Sequence, residues 1–376
     1  MIEPLALKYR PRTFQEVIGQ KVTRVVLAKM VSQDSLPASL IFGGVRGTGK
    51  TSTARIVSRA INCTARVQEY EPCGRCDECV VENPLWMVEV DAATYGGVDK
   101  LRELVDDAQF TAGGHWKVYI LDEVHAISVA GFQVLLKILE EPPPRTTFIL
   151  VTTEPEKIPD TIGTRSMMFN FTALTIEEIN QRIVTVALAE HIALGDGSSR
   201  WLAEQADGGM RDALMLLDQV SRVHEGKGEV TIKLLDEIFT SRSPGPWIEA
   251  LLSGNPAKAI VAAEEMVGVY GGVGALVDAG LVFLRDVVVG KSLGRHLTEE
   301  QGQLASRMTV NEVIRMIRQL WTLRVEVGKY GISDRAAITA LSAELSRHSV
   351  VAPDAPSDIE EEEIKVVLSG GSSGGV

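Results

Sequence analysis

The sequence predicts an α/β domain with a parallel sheet at its N-terminal end, followed by two all-helical domains. Over the first ~170 residues, short β-rich runs alternate with helical patterns, which is typical of a parallel sheet covered by helices on both faces. From residue 173 the strand signals end and helical periodicity continues. The length of 376 residues is that of two or three domains at roughly 150 residues each.

Four strands and four helices are predicted in the first domain. The strands are expected at 36–42, 86–90, 117–121 and 147–151, and the helices at 21–31, 51–62, 98–110 and 131–139. Three consecutive prolines, 142–144, end the fourth helix before its strand, because proline has no N–H to donate within a helix.

Local signals divide the remaining chain. Thr175 and Glu178 have the spacing of a capping box, which begins a helix. The turn-forming run 241–246 separates this helical segment from the next one. Beyond residue 350 the chain is rich first in acids and then in glycine and serine, which is typical of a flexible tail. The predicted domains are therefore 1–172, 173–242 and 243–350, with a tail at 351–376.

Composition excludes several classes of protein. Hydrophobic residues make up 45% and charged residues 23%, as in a soluble globular chain. No apolar run reaches the ~18 residues of a membrane span, and the N-terminus has no apolar signal segment, so we expect a reducing, cytoplasmic location and no membrane partner. The net charge of −12 argues weakly against general coating of nucleic acid, although part of it lies in the acidic tail.

The segment from Gly44 to Thr51 has the eight-residue pattern of a phosphate-binding loop. It follows an apolar strand and opens a helix, which is the context that this motif requires. Its backbone N–H groups and the helix N-terminus attract phosphate oxygens, while Lys50 supplies a charge for the β- and γ-phosphates and Thr51 a hydroxyl for Mg²⁺. The predicted nucleotide-binding residues here are Gly44, Val45, Arg46, Gly47, Thr48, Gly49, Lys50, Thr51 and Ser52.

Two carboxylates, Asp122 and Glu123, follow a buried apolar strand. In open α/β folds the carboxyl ends of the strands are where ligands bind. We expect Asp122 to hold Mg²⁺ and Glu123 to orient or polarise an attacking water. The alternative, that both are solvated strand-end acids, is weakened by the phosphate-binding loop on the same sheet. His125 extends the pattern to D-E-x-H and is interpreted as an ordinary polar residue of the following helix.

All four cysteines lie in one short segment, as Cys63, Cys73, Cys76 and Cys79. Two overlapping C-x-x-C steps suit four thiolates around tetrahedral Zn²⁺. Disulfides, a redox C-x-x-C motif and an iron–sulfur cluster are the alternatives. The expected reducing compartment and the clustering of all four residues favour a structural zinc module at about 63–80.

These motifs resemble the gamma/tau ATPase subunits of bacterial DNA polymerase III clamp loaders, a family of AAA+ ATPases. The likeness extends from residue 5 to about 240. Beyond that point it weakens, and 280–286 is the main segment that is still similar. The matching segments are 8–14, 17–20, 44–51, 62–63 with the three later cysteines, 89–93, 117–125, 135–143, 151–155 and 208–214.

The resemblance implies a RecA-like AAA+ ATPase domain, a helical lid and a helical collar that oligomerises. It also implies roles for further residues. For the two arginines among them, Arg165 and Arg211, surface ion pairing is the alternative. Thr153 and Arg211 would sense the γ-phosphate and Arg165 would be an arginine finger for a neighbouring subunit. The residues implied to cradle adenine are Tyr9, Arg10 and Ile18.

The implied cofactors are ATP, Mg²⁺ and Zn²⁺, and the implied partners are other clamp-loader subunits in a pentameric ring, a sliding clamp and primer–template DNA. Because the chain ends soon after the collar, we expect a minimal, gamma-type motor. Lys100 and Arg102 are candidates for contacts with DNA phosphates, with an ordinary solvated helix face as an equal alternative. The other function classes are a non-catalytic clamp-loader scaffold, which lacks the phosphate loop, and another AAA+ DNA remodeller, which we would not expect to carry the four cysteines.

Overall fold

The computed structural model describes residues 3–81, 84–95, 97–110, 113–224, 228–240, 243–294 and 296–330. The predicted tail at 351–376 and the last part of the predicted collar lie outside these residues. The chain divides into two compact units, Met1–Ile232 and Lys233–Val376. The first unit contains the sheet and the lid-region helices 176–189, 198–205 and 210–224, whereas helix 232–240 falls in the second unit, so the three-domain division stays a prediction.

A parallel five-stranded sheet forms the centre of the first unit, in the order β2-β3-β4-β1-β5. The four predicted strands are confirmed within three residues at each end. The fifth, an edge strand beside β1, was not predicted; it is short, and only its alternate residues Phe169 and Phe171 are buried. The strands are β1 Ser39–Gly44, β2 Met87–Asp91, β3 Lys117–Asp122, β4 Thr146–Thr152 and β5 Met167–Phe171.

Helices cover both faces of this sheet, as predicted, and then continue alone. The four predicted helices correspond to α2, α3, α6 and α7. The helices from the N-terminus through the sheet are α1 Leu5–Lys8, α2 Lys21–Ser32, α3 Lys50–Asn62, α4 Asp77–Val80, α5 Ala92–Tyr95, α6 Val98–Ala108, α7 Val129–Glu140 and α8 Asp160–Gly163. Those that follow are α9 Ile176–Ala189, α10 Ser198–Gln205, α11 Met210–His224, α12 Ile232–Thr240, α13 Gly245–Leu252, α14 Pro256–Tyr270, α15 Val273–Leu293, α16 Glu299–Arg307 and α17 Val310–Tyr330.

The three central strands, β1, β3 and β4, are buried on both faces because their side chains alternate between two cores. Leu40 and Phe42 of β1 belong to the core on one face, together with residues of α2 and α3. Ile41 belongs to the core on the opposite face, with residues of α6 and α7. The sequence of each central strand is therefore a nearly continuous apolar run, which is typical of a parallel sheet.

The predicted capping box begins the helices of the lid region. Thr175 Oγ1 accepts a hydrogen bond from the Glu178 backbone N–H at 3.2 Å, and Glu178 Oε2 accepts one from the Thr175 N–H at 3.0 Å. These reciprocal bonds satisfy two N–H groups that a helix start leaves unpaired. They fix where the chain turns from β5 into α9.

The second unit is helical over its described residues. Its core forms around Trp247 on α13, Leu284 on α15 and Leu320 on α17, each 1% exposed or less. Among the described residues, no single helix is both long and apolar enough to cross a bilayer; α14 and α15 reach that length and composition only as a pair, which bends by 101°.

Gly44 ends β1 under a steric constraint. Its φ is +132°, and a Cβ built on it would lie 2.0 Å from the Phe171 carbonyl oxygen on β5. We expect Gly44→Ala to lower the free energy of unfolding by at least about 2 kcal/mol, from backbone strain and the clash. Urea denaturation followed by circular dichroism measures this. Gly163→Ala is the control, since an added Cβ there meets no described atom within 4 Å; equal midpoints for the two variants would contradict the constraint.

Candidate nucleotide-binding site

The phosphate-binding loop lies between the carboxyl end of β1 and the first turn of α3. Gly47 and Gly49 have φ of +77° and +98°, which L side chains rarely adopt. Gly49 caps α3 with no side-chain hydrogen bond to the helix. The first N–H groups of α3 are therefore available to an anion, as the sequence predicted from the motif.

Lys50 lies at the centre of the loop and is only 7% exposed. Its ammonium donates to the carbonyl oxygens of Gly44 at 2.7 Å and Val45 at 2.8 Å. Burial lowers its pKa, whereas the charges of Glu123 and Asp122 act in the opposite direction. The side chain thus folds back onto its own loop, and phosphate oxygens are a stronger partner for the same ammonium than neutral carbonyls.

The predicted Mg²⁺ ligands are in contact with each other. Thr51 Oγ1 donates to Asp122 Oδ2 at 2.8 Å, which joins the start of α3 to the end of β3. Asp122 Oδ1 accepts a hydrogen bond from the Glu123 N–H at 3.0 Å. A hydroxyl and a carboxylate are oxygen donors of the kind that Mg²⁺ prefers, so these two residues fit the ion.

Glu123 is held at the centre of a polar network. Its φ is +50°, an uncommon conformation for a residue other than glycine and one often found at functional sites. Its Oε2 accepts a hydrogen bond from Thr153 Oγ1 at 3.3 Å and lies 3.5 Å from His125 Nδ1. His125 also contacts Thr152 Oγ1 at 3.1 Å and Glu154 Oε1 at 3.2 Å. Sequence reasoning interpreted His125 as an ordinary polar residue, but the structure places it beside the proposed catalytic carboxylate.

One cavity of about 420 Å³ brings most of the predicted residues together. Gly44, Val45 and Arg165 do not line it. Val17, Leu174 and Leu214 add an apolar wall to it, suited to the face of a base. The predicted residues that line the cavity are Tyr9, Arg10, Ile18, Arg46, Gly47, Thr48, Gly49, Lys50, Thr51, Ser52, Asp122, Glu123, Thr153 and Arg211.

The lid region contacts the phosphate-binding loop directly. The Met210 N–H, at the start of α11, donates to the Gly47 carbonyl oxygen at 3.0 Å. A Cβ on Gly47 would lie 3.1 Å from Gly209 Cα and 3.4 Å from Arg211 Cβ. Arg211, the second residue of α11, therefore lies against the loop and lines the cavity.

Sequence reasoning missed Arg182 and Glu190, both at helix α9. The Tyr9 hydroxyl donates to Glu190, and Lys8 Nζ lies 2.6 Å from Glu190 Oε1. Hydrogen bonds from Lys8 and Tyr9 lower the pKa of Glu190. Arg182 lines the cavity, with its guanidinium carbon 5.9 Å from the centre of the Tyr9 ring. These contacts join the N-terminal segment to the lid, and no local pattern in the sequence points to them.

The four cysteines form a compact cluster of free thiols. Their sulfur atoms all lie within 4.8 Å of one another, with Cys73 and Cys79 4.0 Å apart and Cys63 and Cys76 3.9 Å apart. These separations exceed a disulfide bond of about 2.05 Å and are near the roughly 3.8 Å edge of a tetrahedron with metal–sulfur bonds of about 2.3 Å.

The pKa shifts of the four thiols differ in direction: backbone hydrogen bonds lower the pKa of Cys73, whereas burial raises those of Cys63 and Cys79. Burial raises the pKa of Cys76, but hydrogen bonds from the Thr64 backbone and from Cys79 outweigh it and lower the pKa to about 6. The N–H of Cys73 donates to Cys63 Sγ at 3.3 Å. All four cysteines are free in the structure, with no disulfide among them, and the cluster fits a tetrahedral metal.

Two family models match most of the first unit. Residues 19–175 match the DNA polymerase III delta subunit model, and residues 178–222 match the ATPase lid domain of the DNA polymerase III clamp loader subunit. Similar curated proteins include the DNA polymerase III subunit tau of Escherichia coli K12, 36% identical over 268 residues, which are 69% of this chain and 41% of that one. The subunit tau of Bacillus subtilis is 42% identical over 56% of this chain and 38% of its own length, and the subunit gamma of Buchnera aphidicola is 37% identical over 61% and 63%.

The chain belongs to the DNA polymerase III gamma/tau family.

This chain spans about two fifths of the length of the tau subunits that it matches. Solved structures agree on the fold. The Thermotoga maritima RuvB Holliday junction branch migration motor aligns with a TM-score of 0.50 at 15% identity. A point mutant of RuvB from the same organism aligns with a TM-score of 0.51 at 14% identity. Each alignment covers 79% of this chain and 91% of the other. Together with the match to the clamp-loader ATPase lid, these neighbours support an AAA+ ATPase fold, which implies nucleotide and Mg²⁺ binding.

Three residues with predicted roles, Arg165, Lys100 and Arg102, do not line the nucleotide cavity. Arg165 is exposed, with Nη2 2.8 Å from Glu140 Oε1. Lys100 and Arg102 are exposed on α6, where Arg102 Nη1 lies 2.9 Å from Asp99 Oδ1. The finger role of Arg165 and the DNA contacts of α6 stay predictions.

We expect Lys50→Ala to weaken ATP binding at least tenfold, because the variant loses the positioned charge for the terminal phosphates. Equilibrium binding of a fluorescent ATP analogue measures the effect. Lys29→Ala removes an exposed lysine from α2 and serves as the control. Binding of a well-folded Lys50→Ala protein with the affinity of the control would refute the loop assignment.

Proposed function

We propose that this chain is the ATPase motor subunit of a DNA polymerase clamp loader, which uses ATP binding and hydrolysis to open a sliding clamp and load it onto primer–template DNA. The single observation that supports this most strongly is the cavity that unites the phosphate-binding loop, Asp122, Glu123 and the lid residue Arg211. Such a cavity suits phosphoryl transfer to water, in which the protein supplies position and charge.

Each side chain of the cavity has a distinct task in this proposal. Lys50 exchanges its loop carbonyls for the β- and γ-phosphates of ATP. Glu123 orients the attacking water and accepts its proton, while Thr153 holds the carboxylate by its hydroxyl. Arg211 stabilises the charge that develops on the γ-phosphate. Mg²⁺, which Thr51 and Asp122 would hold, neutralises the phosphate oxygens.

A non-catalytic clamp-loader scaffold is the second candidate function. The match of residues 19–175 to the delta subunit model favours it. Lys50, Thr51, Asp122 and Glu123 are the residues that a scaffold does not need, and here they contact one another or line one cavity. We therefore prefer the motor, and ATP turnover separates the two.

We expect Glu123→Gln to bind ATP with unchanged affinity and to hydrolyse it at least about 100-fold more slowly, because the amide cannot accept a proton. Stopped hydrolysis would trap a clamp-bound assembly. Steady-state phosphate release measures the rate, and Glu156→Gln, which makes the same change at an exposed carboxylate, is the control. Undiminished turnover in Glu123→Gln would remove this residue from the mechanism.

We propose that the chain works in a ring with other clamp-loader subunits and that Arg165 completes the ATP site of a neighbour. Arg165 does not line the cavity of its own chain, which supports action in trans. A finger supplied in trans can be worth about 10³–10⁵ in rate. An ion pair with Glu140 is the alternative role, and an exposed pair contributes little to stability.

We expect Arg165→Ala to bind ATP normally and to hydrolyse it poorly in the assembled ring. Mixing it with Lys50→Ala chains should restore part of the turnover, because some interfaces then pair an intact loop with an intact finger. Arg200→Ala, which breaks another exposed ion pair, is the control. Full turnover by the assembled Arg165→Ala protein would contradict action in trans.

We propose that the cysteine cluster holds one structural zinc ion and leaves no open position for catalysis. Metal analysis of freshly reduced protein should give about one zinc per chain, and Cys73→Ser should lower that value. Chelation should loosen the segment around residues 63–80 without abolishing ATP binding, since the loop belongs to a separate packed element. Iron, or no metal at all, would refute this assignment.

The remaining expectations are part of the same proposal. They are a cytoplasmic location and contacts with a sliding clamp and primer–template DNA. Lys100 and Arg102, on the exposed face of α6, are the proposed DNA contacts. Charge–phosphate contacts would make DNA affinity fall steeply with salt.

A further inference from the structure

A second cavity, of about 550 Å³, is lined by arginines. Among the described residues, its charged side chains are Arg10, Arg12, Arg55, Arg59 and the single carboxylate Glu3. The chain as a whole carries a net charge of −12, so a local excess of positive charge is unexpected. Like charges repel, and a cluster of guanidinium groups is stabilised when an anion lies between them.

Two of these arginines already have partners. Arg10 Nε donates to Ser52 Oγ at 3.1 Å. Arg55 makes a bidentate ion pair with Glu89, with both nitrogen–oxygen distances at 2.6 Å. Glu89 therefore compensates the charge of Arg55, and neither contact supplies an anionic partner for the other arginines.

The other two, Arg12 and Arg59, have side chains that make no hydrogen bond or ion pair with any described residue. Arg59 Nε is buried in this state. Burial lowers the pKa of Arg59, and the charges of Arg55 and Arg12 lower it further. Arg59 as a whole is partly exposed, but a buried guanidinium nitrogen without a partner is costly and is characteristically satisfied by an ion or water.

We propose that this cavity binds a small oligophosphate anion, of the pyrophosphate class, between Arg12 and Arg59. A guanidinium group pairs with two phosphate oxygens at once, which an ammonium cannot do. The volume lies within the range of small-molecule sites, about 300–1,000 Å³. The site adjoins the nucleotide cavity, since Leu7, Arg10 and Pro11 line both, but Arg12 and Arg59 line only the second cavity.

The proposed zinc centre is the alternative to an anion as the partner for the positive charge of Arg59. Cys79 lies on the wall of the same cavity, and a zinc ion held by four thiolates is net negative. The test therefore uses the zinc-loaded protein. If the metal centre alone compensates Arg59, this protein will bind no further anion.

The experiment is calorimetric titration of pyrophosphate into the zinc-loaded full chain saturated with ADP, so that the phosphate-binding loop is already filled. We expect one binding event, weakened about tenfold or more in Arg12→Ala and in Arg59→Met by loss of a charge-assisted bond. Arg12 is exposed, so Arg12→Ala decides the matter even where Arg59→Met fails to fold. Arg200→Ala should keep the wild-type affinity.

The absence of binding to the wild-type protein would overturn the proposal, and so would unchanged affinity in Arg12→Ala. A second arm compares a short oligonucleotide with and without a 5′-phosphate, which carries similar chemistry from a different source. Binding of the phosphorylated oligonucleotide alone, with none of pyrophosphate, would overturn the free oligophosphate and assign the cavity to nucleic-acid ends.

Discussion

The nucleotide cavity depends on the close approach of β1 to the end of β5. Gly44 lies against the Phe171 carbonyl with no room for a side chain. This contact directs the chain from β1 into the loop, and the strand that makes it continues directly into the lid region. There the Leu174 N–H donates to the Gly208 carbonyl, and the Met210 N–H donates to Gly47 of the loop. One steric constraint therefore positions both the loop and the helix that covers it.

Side chains of opposite charge line the nucleotide cavity. Burial lowers the pKa of Lys50, and the charges of Glu123 and Asp122 oppose that lowering. Glu123 is in turn held by Thr153, beside His125. A γ-phosphate that binds Lys50 and Thr153 would break the hydrogen bond from Thr153 to Glu123. The same contacts can therefore couple nucleotide binding to the position of the carboxylate that acts on water.

Sequence reasoning predicted the parts of the site that belong to local motifs. The loop, the strand-end acids and the cysteines each occupy a short segment, and buried parallel strands are long apolar runs. Strand β5 was missed because an edge strand of five residues with two buried side chains has no such run. Arg182 and Glu190 were missed because they meet Tyr9 only through tertiary packing, across 173 and 181 positions of the chain. His125 was visible in the motif, but its partners lie at the end of a different strand, Thr152 as the last residue of β4 and Glu154 two residues later.

The central claim is that ATP turnover at this cavity drives clamp loading. The most direct measurement is the steady-state ATPase rate of the chain, assembled with its partner subunits, with and without the sliding clamp and primed DNA. The account predicts a low basal rate that rises when clamp and primed DNA are present together, and no rise in rings built from Glu123→Gln chains. A rate that clamp and primed DNA leave unchanged would contradict it.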